Sequence, residues 1–89
     1  MGDKRIKRIV LDVLKPRDPP IHELASHIAD STGVGEVSIT VIEINQSTES
    51  IKVLVEGDDI NVNDVKGCLE RVGATIHSLD EVKVVQSRD

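Results

Sequence analysis

Eighty-nine residues fall short of the usual ~100–150-residue domain, so residues 1–89 are expected to form a single domain, with little room for a second. Thirteen Val and ten Ile, with no Phe, Tyr or Trp, favour pleated strands and remove every aromatic platform on which single-stranded nucleic acid could stack. Eleven Lys and Arg against sixteen Asp and Glu leave a net charge of −5, which argues against a phosphate-neutralising surface; no nucleic-acid partner is expected.

In chain order, residues 6–14 (IKRIVLDVL) read as a first strand, stopped at Lys15-Pro16 where proline removes a ladder donor. Pro19-Pro20 leads into IHELASHIADSTG, where Ile21, Leu24, Ala25 and Ile28 recur at i, i+3, i+4 and i+7 and Gly33 offers a left-handed stop; this is a helix. Residues 35–46 and 50–56 are two β-rich runs joined by Ser47, Thr48 and Glu49, the pattern of an antiparallel hairpin. In NVNDVKGCLERVG, Asn61 is the expected N-cap with Asp64 at N3, and Val65, Cys68, Leu69 and Val72 form the stripe of a second helix ending at Gly73. ATIHSLDEVKVVQ returns to β-rich composition, with a bulge expected where Asp80-Glu81 interrupts it.

Right-handed crossovers leave one favoured arrangement for this β-α-β-β-α-β order. It is an α+β, ferredoxin-like βαββαβ sandwich, with an antiparallel sheet of order 4-1-3-2 and both helices on one face. Alternation then places Ile9, Leu11 and Val13, and Ile51, Val53 and Val55, against the helices. Ile6, Arg8, Val10, Asp12 and Leu14, with Lys52, Leu54 and Glu56, fall on the open face. The second strand is ambiguous: Val37, Ile39 and Val41 share one parity and Ile42 and Ile44 the other, so it is bulged or buried on both faces. A half-apolar open face (Ile6, Val10, Leu14, Leu54 and Leu79), together with two unpaired sheet edges, implies self-association. Head-to-tail edge pairing would close into a ring, with a two-fold dimer as the alternative.

One cysteine excludes an internal disulfide, and no CxxC or Cys/His cluster offers a zinc or redox site. The N-terminal stretch is too short and interrupted for a signal peptide, Ile6 stands where a myristoylation pattern needs Ser or Thr, and no apolar run spans a membrane. The expectation is a cytoplasmic protein with no membrane partner.

Carboxylates embedded in strands are the chemistry-bearing residues: Asp12 on the first, Glu43 on the second, and Asp80 and Glu81 on the fourth. Oxygen donors suit a hard cation, Ca2+ ahead of Zn2+, and His77 on the fourth strand is a further candidate ligand. The second and fourth strands are not adjacent in 4-1-3-2 order, so a shared site forms most easily between subunits. The plainer alternative carries more weight: each acid faces water or pairs with Arg8, Lys52 or Lys83, and His77 is a hydrogen-bonded interface residue. Glu56-Gly57-Asp58-Asp59 lacks the ligand spacing of an EF-hand and reads as a turn with helix-entry acidity. His22 and His27 are five apart and read as surface residues, and Cys68 as a core residue. Gly67 inside the second helix suggests close approach by a neighbouring element or a tolerated surface glycine.

The run Ile76-His77-Ser78-Leu79-Asp80-Glu81-Val82, with the Val41-Ile42-Glu43-Ile44 strand and the Val55-Glu56-Gly57 turn, resembles an uncharacterised archaeal family known as domain of unknown function 211. The likeness covers nearly the whole chain; Leu79 stands where Ile is as often expected. It implies a ferredoxin-like fold, cyclic homo-oligomers and no established enzymatic activity, and supplies no catalytic residue. The expected function is therefore a non-catalytic homo-oligomeric module binding a divalent cation or small ligand at subunit interfaces. The alternatives are an acylphosphatase-like enzyme, disfavoured by the rigid Lys15-Pro16-Arg17-Asp18-Pro19-Pro20 loop, and a translation-associated ferredoxin-like domain.

Overall fold

The computed structural model describes residues 3–87. Its elements follow the expected order: β1 (Asp3–Pro16), α1 (Ile21–Ala29), β2 (Val34–Ile44), β3 (Thr48–Gly57), α2 (Val62–Arg71) and β4 (Thr75–Ser87). The four strands form one antiparallel sheet in the order β2-β3-β1-β4, the expected ferredoxin-like arrangement.

The core is the helix-facing side of the central strands. Ile9, Leu11 and Val13 of β1 and Ile51, Val53 and Val55 of β3 are fully buried against Leu24 and Ile28 of α1 and Val65, Cys68 and Leu69 of α2. Both helices thus bury the stripes read from their spacing. The Asn61 side chain caps α2 by accepting from the Asp64 amide at 3.1 Å. At the other end Gly73, at φ +80°, donates to the Glu70 carbonyl and Ala74 to that of Leu69, satisfying carbonyls the helix leaves open. α1 stops at Ala29, ahead of Gly33; Asp30–Gly33 is a turn in which Ser31 donates to the Ile28 carbonyl and Val34 to that of Ser31.

Several boundaries and faces differ from expectation. β1 starts three residues earlier and β4 runs to Ser87, so that Asp3–Ile6 pair only with β4 and form a two-stranded ribbon beyond β3. The β2–β3 loop is 45–47, with Thr48 and Glu49 already in β3. Five register shifts leave Lys7 of β1, Gly35 and Ile42 of β2, and His77 and Asp80 of β4 as extra residues in the ladders. The bulge at Ile42 resolves the two parities of β2: Val37, Ile39 and Val41 pack on the core, and Ile44 returns to their face after the extra residue. The bulge at Lys7 turns Ile6 to the helix side, where it packs on the core, correcting its expected place on the open face. The bulges at His77 and Asp80 let Ile76, Leu79 and Val82, spaced by three, oppose Val13, Leu11 and Ile9, all core-facing; Leu79 therefore also belongs to the helix side.

Candidate functional site

β1 carries the centre of the open face. Its Asp12 is half-buried and lies opposite Lys52 of β3 on one side and Ser78 of β4 on the other. Two residues along β4 the bulge presents Asp80, whose Oδ1 accepts from the Ser78 hydroxyl at 2.6 Å, followed by Glu81 opposite Val10. Asp12, Asp80, Glu81 and the bulged His77 are thus carried on neighbouring stretches of one strand pair. Glu43 is exposed at the outer edge of β2, opposite Ser50, and three strand spacings, roughly 14 Å, separate β2 from β4. Among the described residues no three His, Cys, Asp or Glu side chains are placed to hold one metal ion. Glu43 and the β4 acids therefore do not share one ion within a single chain.

Arg8 takes up one candidate ligand. Its Nη1 donates to Glu81 at 3.1 Å, while Nε and Nη2 donate to Glu56 at 3.3 and 3.2 Å, bridging β3 and β4 across β1. The hydrogen bond that Arg8 donates to Glu81, followed by those it donates to Glu56, pushes the guanidinium above its ordinary range. The pairing foreseen for these acids is therefore present at Glu81. The second acidic cluster is also neutralised from β1: Lys7 reaches Asp58 at 3.0 Å and Arg5 at 3.2 Å, and the Lys7 ammonium, ahead of Arg5, holds the Asp58 carboxyl below the usual carboxylate range.

Lys15, at the end of the first strand by its sequence, is the one charged side chain fully buried among the described residues. Its Nζ donates to the carbonyls of Pro16 (2.8 Å) and Arg17 (3.2 Å) and to Glu49 Oε1 (2.9 Å), so each ammonium hydrogen has an acceptor. Arg17 donates to the Asn45 and Gln46 carbonyls at 3.2 and 3.4 Å, tying the loop after β1 to the β2–β3 turn. The signal that would have found Lys15 is parity: it continues the inward series Ile9, Leu11, Val13. Cys68 is buried, as expected of a core residue, and burial pushes its thiol up, with the neighbouring Arg71 guanidinium opposing the shift.

The apolar surface lies elsewhere than the centre of the open face. Val10, Leu14 and Leu54 are half-buried. The strongly exposed large apolar side chains are Ile42 and Ile44 (each 61%), Leu79 (43%), Val82 (46%), Val84 (52%) and Val85 (41%), and every one of them stands on β2 or β4, the two sheet edges. No helix of the described residues is long and apolar enough to cross a membrane.

Residues 7–87 match the family described as an uncharacterized ArCR, domain of unknown function 211. An uncharacterized protein of Methanocaldococcus jannaschii is 43% identical over 77 residues, covering 86% of this chain and 79% of the relative.

Proposed function

From the premise that this chain belongs to the family known as domain of unknown function 211, we propose that it is a non-catalytic, self-associating module whose subunits join through their outer strands, head to tail, into a closed ring. One observation carries this reading: the strongly exposed large apolar side chains are confined to β2 and β4. These same strands carry the unpaired backbone donors and acceptors of the sheet, so pairing β2 of one subunit with β4 of the next removes apolar surface and open ladder from water together. The ribbon lengthens β4 beyond the body and gives that edge more backbone to pair.

The same proposal includes a divalent cation, Ca2+ ahead of Zn2+, at the junction between subunits. Glu43 lies on the edge that would meet Asp80, Glu81 and His77 of a neighbour, with Asp12 on the adjoining strand; these are mainly oxygen donors. The lone buried thiol suits a cytoplasmic setting. Native mass spectrometry with added Ca2+ and with a chelator tests both parts. The expected result is a single multiple of the 9.7 kDa chain that gains Ca2+ and is more resistant to dissociation when loaded. A monomer under both conditions overturns the assembly. An assembly indifferent to Ca2+ overturns the cation alone.

A further inference from the structure

Between the C-terminal end of α1 and α2 runs a groove of about 210 Å³, lined by residues of the two helices and the turn after α1 and by none of β2 or β4. His27, Asp30 and Ser31 form one wall and Asp64, Gly67 and Arg71 the other. The Thr32 amide donates to Asp64 Oδ2 at 3.3 Å, linking the turn after α1 to the first turn of α2 and setting the groove's width. Charges of both signs face this space, yet neither Asp30, Asp64, His27 nor Arg71 belongs to an ion pair among the described residues. All four are exposed, which leaves the Arg71 guanidinium and the Asp30 carboxylate accessible to a solute that carries both signs.

Gly67 points the same way. A glycine in a helix interior destabilises relative to alanine, so its presence needs a reason. Packing within the chain supplies none: a Cβ at Gly67 would meet only Arg71 Nη1, at the ordinary contact distance of 3.6 Å. A methyl there would instead take up room in the groove.

We propose that this groove binds a small free α-amino acid, its carboxylate on Arg71 and its ammonium between Asp30 and Asp64. The planar guanidinium fork matches a carboxylate with two parallel hydrogen bonds. The carbonyl-bearing end of α1 adds negative potential beside Asp30, where the ammonium sits. A metal ion is repelled by Arg71, and a simple anion leaves two carboxylates unmatched. The volume lies below the ~300–1,000 Å³ of pockets for drug-sized ligands, which suits a solute of few heavy atoms.

Isothermal titration calorimetry of the assembled protein tests this, with the standard L-amino acids added singly and with propionate and ethylamine as single-charge controls. The expected result is saturable binding of at least one small amino acid, with both controls at least about tenfold weaker. Arg71→Gln should weaken binding by a similar factor. Gly67→Ala should keep or raise the melting temperature while abolishing binding, which separates an occupied groove from a helix that merely tolerates glycine. Absence of binding by any amino acid, propionate binding as well as the amino acid does, or undiminished binding by Gly67→Ala each overturns the proposal, and none of them bears on the edge-to-edge assembly.

Discussion

Lys15 and Glu49 hold the end of β1 against the β2–β3 turn from inside the protein. Removing one partner of a buried ion pair costs about 3–5 kcal/mol, because the other charge is left without compensation. The Glu49 side chain retains 15% exposure, so Glu49→Ala is expected at the low end, about 3 kcal/mol, in urea unfolding. Lys15→Met should cost only about 1 kcal/mol, since an apolar chain of similar length fills the space and Glu49 keeps contact with water and with Arg17. A Lys15→Met/Glu49→Ala double variant whose loss equals the sum of the two single losses would contradict the pairing. Asp58 supplies a pH test. Its folded carboxyl titrates below the ordinary value, so its contribution to stability is complete above about pH 4 and is lost as pH falls through the lower folded value. Replacing Lys7 with Ala should raise the Asp58 midpoint in an NMR titration; an unmoved midpoint would reassign the shift to Arg5.

At the scale of elements, Gly33 is a point of close approach between the α1–β2 turn and the loop before α2. Its φ is +83°, and a Cβ would come within 2.1 Å of the Asp59 carbonyl oxygen. Gly33→Ala should therefore lower stability by about 2 kcal/mol or more, through left-handed strain plus the clash with backbone. Asn61→Ala removes the α2 cap and should cost about 1 kcal/mol. Thermal denaturation ranks the two; a cap loss exceeding the Gly33 loss would contradict the close approach. The helices, their apolar stripes and the strand order were legible because spacing at 3–4 residues and handed crossovers leave few alternatives. The bulges were only partly legible. The interruption at Asp80-Glu81 and the double parity of β2 gave warning, but nothing marked Lys7 or His77, because an extra ladder residue has no side-chain signature and shows only as a change of face. That is why Ile6 and Leu79 were read onto the wrong side of the sheet.

The whole molecule is elongated, 52 × 21 × 17 Å, because the β1–β4 ribbon projects from the two-layer body. The aliphatic composition and the two sheet edges are what made self-association the expectation. The place of the exposed apolar surface was less legible: it is Ile42, Ile44 and the Val82-to-Val85 stretch on the edges, whereas the alternation of β1 and β3 draws attention to the half-buried Val10, Leu14 and Leu54. Of the candidate ligands, Asp12, His77, Asp80 and Glu81 were rightly read onto neighbouring strands and Glu43 onto a distant one, while the engagement of Glu81 by Arg8 and of Asp80 by Ser78 depends on register that the bulges set. Head-to-tail edge pairing makes a distinctive prediction. Ile44→Lys should disable the β2 edge and Val82→Lys the β4 edge, so each variant alone is monomeric. Each keeps one intact edge, and a mixture of the two should form a one-to-one heterodimer and nothing larger. Sedimentation velocity of the unmodified chain, of each variant and of their mixture at micromolar concentration is the most direct measurement. The expected outcome is a closed oligomer, two monomers of 9.7 kDa and a dimer, in that order; an unmodified chain that sediments as a 9.7 kDa monomer at every concentration would contradict it.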